Sequence, residues 1–137
     1  MRAGMPAPDW SLLLRTPAFE TTAFLLGLVV GSFANVCIHR LPRRESIVSP
    51  PSRCPACGAR IRARDNVPVL GWLLLRGRCR DCRAPISWRY PAVEAANGLL
   101  WLALAALLGP APRTFVLMGL VSALLVLALV DLDHQIL

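Results

Sequence analysis

Three long apolar stretches, separated by polar segments that contain prolines, dominate the pattern of this chain. Each stretch is close to the roughly 20 residues that an α-helix needs to cross a bilayer core at about 1.5 Å per residue. The pattern predicts an α-helical integral membrane protein. Its predicted parts are an irregular N-terminal leader at 1–17, a first transmembrane helix at 18–39, a loop at 40–90, a second helix at 91–108 and a third helix at 113–134 that ends in an aspartate motif.

The loop between the first two helices carries four cysteines in two Cys-x-x-Cys pairs. Cys54-Pro-Ala-Cys57 is separated by 21 residues from Cys79-Arg-Asp-Cys82. This spacing is typical of a tetrahedral zinc site, because each pair supplies two thiolates from one tight turn. Four thiolates leave no open coordination position, so the metal would hold a small structural zinc ribbon together. The alternative is a pair of disulfides, which requires an oxidising compartment.

Frequent prolines in the loop exclude long helices, so we expect short strands and turns around the metal. The apolar piece at 67–75 predicts either a strand of the ribbon or a patch that lies on the membrane surface. The sequence alone leaves both alternatives open.

Composition and charge agree with a membrane protein and give it an orientation. Of the 137 residues 55% are hydrophobic, and the mean hydropathy is +0.54. All fifteen basic residues are arginines, and twelve lie between Arg40 and Arg89 against three carboxylates, which gives that segment a charge of +9. Positive loops stay on the cytoplasmic side. We therefore predict a cytoplasmic zinc loop, where a reducing environment favours zinc over disulfides, with membrane lipid rather than nucleic acid as its partner.

Asp131 and Asp133 at the end of the third apolar stretch are the strongest candidates for chemistry, because ionisable residues at membrane depth are costly. They lie about 200° apart on a helix, so only one can face the interior. That carboxylate is either one half of an aspartyl dyad, which shares a proton and activates water, or an interfacial cap. Glu94 is expected to cap its helix or to pair with an arginine. The stripe formed by Gly31, Ser32 and Asn35 is expected to serve helix packing with a buried hydrogen bond.

The sequence from about Gly27 to Leu137 resembles the N-terminal half of bacterial prepilin peptidases. The resemblance rests on six motifs in order: Gly31-Ser-Phe-Ala-Asn-Val36 continuing to Arg40-Leu-Pro42, the Cys54 to Cys57 pair, Asp65-Asn-Val-Pro-Val-Leu-Gly-Trp72, Leu75-Arg-Gly-Arg-Cys-Arg-Asp-Cys82, Pro85-Ile-Ser-Trp-Arg-Tyr-Pro-Ala-Val-Glu94 and Asp131-Leu-Asp-His134.

The resemblance implies a multi-pass enzyme of the bacterial inner membrane. It implies cleavage of type IV prepilins or type II secretion pseudopilins at the cytoplasmic face, followed by N-methylation with S-adenosylmethionine as the methyl donor. By the same resemblance Asp131 is the first catalytic aspartate, with Asp133 as the fallback, and the four cysteines bind zinc. The second catalytic aspartate of the family belongs to a Gly-x-Gly-Asp motif that we expect beyond Leu137, so the chain is expected to be a fragment that is inactive alone. A non-catalytic, membrane-anchored zinc-ribbon partner or assembly protein is the alternative.

Overall fold

The computed structural model describes residues 17–134, and the predicted leader at 1–17 lies, apart from Pro17, outside the described residues. The described part contains the helices α1 (Pro17–Arg40), α2 (Leu70–Leu74), α3 (Arg89–Leu108) and α4 (Pro112–His134). Helices α1, α3 and α4 are long and apolar enough to cross a membrane, with 24, 20 and 23 residues. The predicted fold class, three such helices with a four-cysteine loop between the first two, is confirmed.

The loop between α1 and α3 contains less strand structure than expected. Within residues 41–88 the antiparallel pairing is limited to two isolated bridges, Arg53 with Arg60 and Arg78 with Pro85. A short 3-10 helix at Ala63–Asp65 follows the first cysteine pair. The apolar piece at 67–75 forms a turn and the helix α2 rather than a strand of a ribbon.

Two glycines of α1 bring its backbone very close to α3. A Cβ atom added at Gly27 would lie 2.9 Å from the Cα of Gly98, and one added at Gly31 would lie 2.8 Å from the Cα of Glu94. Any residue larger than glycine at these two positions would therefore force α1 and α3 apart. Such pairs of small residues, spaced four apart, are a common means of packing helices within a membrane. The main contact of α1 is accordingly with α3.

A buried hydrogen-bond network connects all three long helices. Asn97 of α3 is 0% exposed, and its amide donates to the carbonyl oxygen of Gly27 at 2.7 Å. The hydroxyl of Ser122 in α4 lies 2.8 Å from the amide oxygen of Asn97 and donates to it. Trp101 donates its indole N–H to Ser122 at 3.0 Å. A polar group without a partner in hydrocarbon costs several kcal/mol, so this network fixes how the helices fit together.

A tight turn returns α4 to the side of the loop. Gly109 ends α3 with a φ of 65°, a left-handed conformation that glycine adopts without steric cost. Thr114 of α4 donates its hydroxyl proton to the carbonyl oxygen of Gly109 at 2.7 Å. The C-terminal end of α4 therefore lies beside the N-terminal end of α3 and the C-terminal end of α1, where the loop is attached.

Candidate metal centre and the adjoining helix ends

The two cysteine pairs have the same local backbone structure. The N–H of Cys54 donates to the carbonyl oxygen of Ala59 at 2.9 Å, and the N–H of Cys79 donates to that of Ala84 at 2.8 Å. One β-bridge flanks each turn: Arg53 with Arg60 at the first pair, and Arg78 with Pro85 at the second. The sequence folds in this way because a Cys-x-x-Cys turn points both thiols to one side. Each pair thus presents two sulfur atoms to the other.

One position in each turn needs a left-handed backbone. Gly58 follows the first pair with a φ of 71°, and Arg83 occupies the same place after the second pair with a φ of 62°. A Cβ atom at Gly58 would contact no atom within 4 Å. Glycine is therefore favoured there by its backbone conformation and not by a shortage of space.

The structure brings the four predicted ligands, Cys54, Cys57, Cys79 and Cys82, into one cluster. Their sulfur atoms all lie within 4.8 Å of one another. The sulfur atoms of Cys54 and Cys82 are 3.7 Å apart. Tetrahedral zinc with Zn–S bonds of about 2.3 Å separates its sulfur ligands by roughly 3.8 Å, whereas a disulfide needs about 2.05 Å. All four thiols are free, so the cluster fits a structural zinc ion and not the alternative of two disulfides.

The electrostatics of the cluster favour a cation at its centre. The backbone N–H groups of Cys57 and Ala56 lower the pKa of the Cys54 thiol to about 7. The N–H of Ala84 lowers the pKa of the Cys82 thiol, but burial and the neighbouring thiols outweigh it and raise that pKa to about 12. Like charges this close cannot all ionise together. A divalent metal removes the conflict, because it stabilises every thiolate at once.

An ion pair ties the second cysteine pair to the middle of the loop. Arg80 lies between Cys79 and Cys82, and its guanidinium binds both carboxylate oxygens of Asp65, at 2.8 and 2.6 Å. This bidentate contact lowers the pKa of Asp65 below its ordinary value. Gly71 of α2 packs on the carbonyl oxygen of Asp65, which would lie only 2.2 Å from an added Cβ atom. Asp65 therefore contacts both the second cysteine pair, through Arg80, and α2, through Gly71.

Glu94 connects this loop to the membrane helices in a way that the sequence did not indicate. Helix α3 begins at Arg89 rather than at the predicted residue 91, so Glu94 lies in the second turn and cannot cap the first. Its carboxylate instead accepts a hydrogen bond from the backbone N–H of Val69 at 2.7 Å. Val69 has a φ of 61°, an uncommon conformation for a β-branched residue. The buried Glu94 thus holds the strained residue that precedes α2.

The two aspartates lie in the last turn of α4 and have different surroundings. Arg89, the first residue of α3, binds both oxygens of Asp133 at 2.8 Å. Asp131 is half-buried. At the same end of the bundle, Asn35 of α1 donates to the carbonyl oxygen of Tyr90 at 3.0 Å. A cleft of about 420 Å³ opens here, and its lining includes Asn35, Arg89, Tyr90 and Asp133.

Sequence reasoning missed Arg89 as the partner of Asp133. A signal was available in the predicted topology, because the start of the second helix and the end of the third must emerge on the same side of a membrane. Of the twelve arginines in the segment, however, the spacing did not single out the one that reaches the aspartate motif.

The fold and the cluster define a class: a membrane protein with three long helices in its described part and, in the loop between the first two, four cysteines placed so that they could bind a metal. The family description "Bacterial Peptidase A24 N-terminal domain" matches residues 25–108. The chain belongs to this family, and the resemblance drawn from its motifs is confirmed.

Several curated relatives carry the name "Prepilin leader peptidase/N-methyltransferase". The chain is 50% identical over 121 residues to the protein of that name from Myxococcus xanthus, covering 88% of this chain and 36% of the relative. It is 42% identical over 136 residues to that of Burkholderia pseudomallei (81% and 44%) and 41% identical over 151 residues to that of Pseudomonas putida (93% and 52%). The chain therefore spans between about a third and a half of these relatives. No solved structure matches it.

Proposed function

We propose that this chain forms the N-terminal membrane part of a prepilin leader peptidase/N-methyltransferase of the bacterial inner membrane. The observation that carries the proposal is the meeting, at one end of the bundle, of the α4 aspartates, the start of α3 and the cysteine loop in a member of this family. Substrates of this activity are type IV prepilins or the pseudopilins of type II secretion. The methyl donor is S-adenosylmethionine, which is supported by the N-methyltransferase in the name of the Myxococcus xanthus relative.

The cysteine cluster binds zinc in a structural role. Cys54, Cys57, Cys79 and Cys82 would hold the ion, and four thiolates leave no position for water or substrate. The ion therefore organises the loop, which in turn supports α2 through Asp65 and Arg80. Twelve arginines in this segment support a cytoplasmic location by the positive-inside rule.

Asp131 is the proposed catalytic carboxylate for peptide-bond cleavage. Asp133 has both oxygens engaged by Arg89, and a bidentate ion pair favours a permanently ionised group. A dyad instead needs a carboxyl group that shares a proton with a second one and activates water. We assign Asp133 a positioning role, keep it as the fallback, and expect the second carboxylate from the part of the relatives that this chain does not match. The 137 residues alone are then expected not to cleave a prepilin.

A chimera tests the proposal. The matched N-terminal segment of the Myxococcus xanthus relative is replaced by this chain, and the chimera is expressed in a strain that lacks its own prepilin peptidase. We expect a prepilin to be shortened, as seen on a gel, and its new N-terminus to be methylated, as seen by mass spectrometry. Asp131→Asn should abolish cleavage, whereas Asp133→Asn should only reduce it.

Two outcomes would change the assignment. If Asp133→Asn abolishes cleavage and Asp131→Asn does not, the fallback is the catalytic residue. If the chimera inserts into the membrane and binds zinc but processes no prepilin, the peptidase proposal is refuted, and the non-catalytic zinc-ribbon partner becomes the better account.

A further inference from the structure

Helix α2 presents an apolar surface to the outside of the protein. Leu70, Leu73 and Leu74 are 57%, 55% and 80% exposed, although they belong to a helix of only five residues. Single exposed leucines are ordinary on a protein surface, but three on one short helix form a patch of the kind that marks a binding surface. The packing described above does not use them.

Unpaired arginines adjoin these leucines. A recess of about 650 Å³ is lined by Leu74 and Leu75 together with Arg76, Arg78, Arg80 and Arg83. Arg80 is engaged by Asp65. Within residues 17–134, the other three arginines of the recess form no ion pair with a carboxylate. The patch therefore combines an apolar helix with three guanidinium groups that are available to an anion.

The contact between Val69 and Glu94 determines where this patch lies. Glu94 is packed against Gly31 of α1, which is nine residues before Arg40 and hence roughly 14 Å below the charged end of α1 at 1.5 Å per residue. The N–H of Val69 reaches Glu94 at 2.7 Å. The start of α2 is thus held beside the second turn of α3, a helix that is long and apolar enough to cross a membrane.

We propose that Leu70, Leu73 and Leu74, together with Arg76, Arg78 and Arg83, form a leucine–arginine surface that binds the anionic phospholipids of the membrane that the chain crosses. The leucines insert beside the acyl chains, and the guanidinium groups bind headgroup phosphates. The attachment of α2 to α3 favours lipid over an acidic protein, because it holds the leucines beside a helix that is apolar enough to lie in the membrane. This binding does not depend on the proposed peptidase activity.

Photo-crosslinking of the full chain tests this surface. The residue p-benzoylphenylalanine is placed at position 74, and the zinc-loaded protein is reconstituted in nanodiscs that contain equal amounts of phosphatidylglycerol and phosphatidylcholine. Val48 provides the matched control, since it is 88% exposed in the same loop. Arg40 holds the control segment over the end of α1 by donating to the carbonyl oxygens of Ser46 at 2.8 Å and Pro50 at 2.7 Å.

We expect the probe at position 74 to form lipid adducts at least several times more often than the probe at position 48, with phosphatidylglycerol preferred. Each change Arg76→Gln and Arg78→Gln should lower that preference about fivefold, because one basic residue near an anionic surface contributes about 1 kcal/mol. Retained zinc and circular dichroism show that each variant is folded. Equal adduct yields at the two positions would overturn the proposal, as would adducts to a protein instead of lipid in native membranes.

Discussion

The close approach of α1 and α3 predicts that Gly31→Ala destabilises the bundle. The added Cβ atom would lie 2.8 Å from the Cα of Glu94 and 3.1 Å from the Cβ of Asn97, whereas carbon atoms pack at about 3.5–4.0 Å. The helices must therefore separate by several tenths of an ångström or more. Overpacking of this kind costs about 1–3 kcal/mol, and alanine recovers up to about 1 kcal/mol through its higher helix propensity. We expect a net loss of about 1–2 kcal/mol.

Gly119→Ala is the matched control, because it makes the same chemical change in α4 where an added Cβ atom would contact nothing within 4 Å. Both variants of the full, zinc-loaded chain are unfolded with SDS in mixed micelles and followed by circular dichroism. Gly31→Ala should unfold at a lower SDS fraction than the unmodified chain, and Gly119→Ala should not.

Hydrogen exchange provides a second measurement. Separation of α1 and α3 should disturb Glu94 and raise the exchange rate of the Val69 amide, which donates to it at 2.7 Å. If the two glycine variants unfold at the same SDS fraction and the Val69 amide stays protected in both, the inferred close packing of α1 on α3 is wrong.

Three further predictions concern the metal, the buried network and pH. Cys54→Ser should lose stoichiometric zinc, measured by elemental analysis, while Cys37→Ser, which changes a thiol of α1 outside the cluster, should keep one equivalent. Asn97→Ala should destabilise the bundle by about 1 kcal/mol in SDS unfolding, because it removes two interhelical hydrogen bonds that are worth about 0.6 kcal/mol each in membrane proteins; an unchanged midpoint would contradict this. Because Arg80 lowers the pKa of Asp65, that ion pair stabilises the loop above the ordinary Asp pKa and is lost as pH falls through the lowered value. Asp65→Asn should therefore speed zinc release to a chelator at neutral pH, and its difference from the unmodified chain should shrink in acid.

Features with a strong local signal were predictable from the sequence. Apolar length alone identified three membrane helices, because a bilayer requires about 20 such residues whatever their packing. The Cys-x-x-Cys spacing identified the four thiols that cluster, because each turn orients its two thiols locally. The predicted strands of the loop were wrong, since the pairing in residues 41–88 is limited to one isolated bridge beside each cysteine pair.

Contacts between distant residues were decided by the tertiary structure. Val69 and Glu94 are 25 residues apart, and Arg89 and Asp133 are 44 apart. The periodicity and spacing of the sequence do not show which of the many arginines pairs with an aspartate. That pairing depends on how the helices are rotated about their axes and shifted along them.

The sequence by itself determined that residues 17–134 contain three helices long and apolar enough to cross a membrane and which four thiols form a cluster that could hold a metal. Each property follows from hydrophobic length or from short-range turn chemistry. Only the tertiary structure decided that α2 is held beside the membrane helices and that Asp133 is paired with Arg89. Those outcomes depend on how closely glycines let α1 approach α3 and on where a tight turn returns α4, and both are properties of packing between segments.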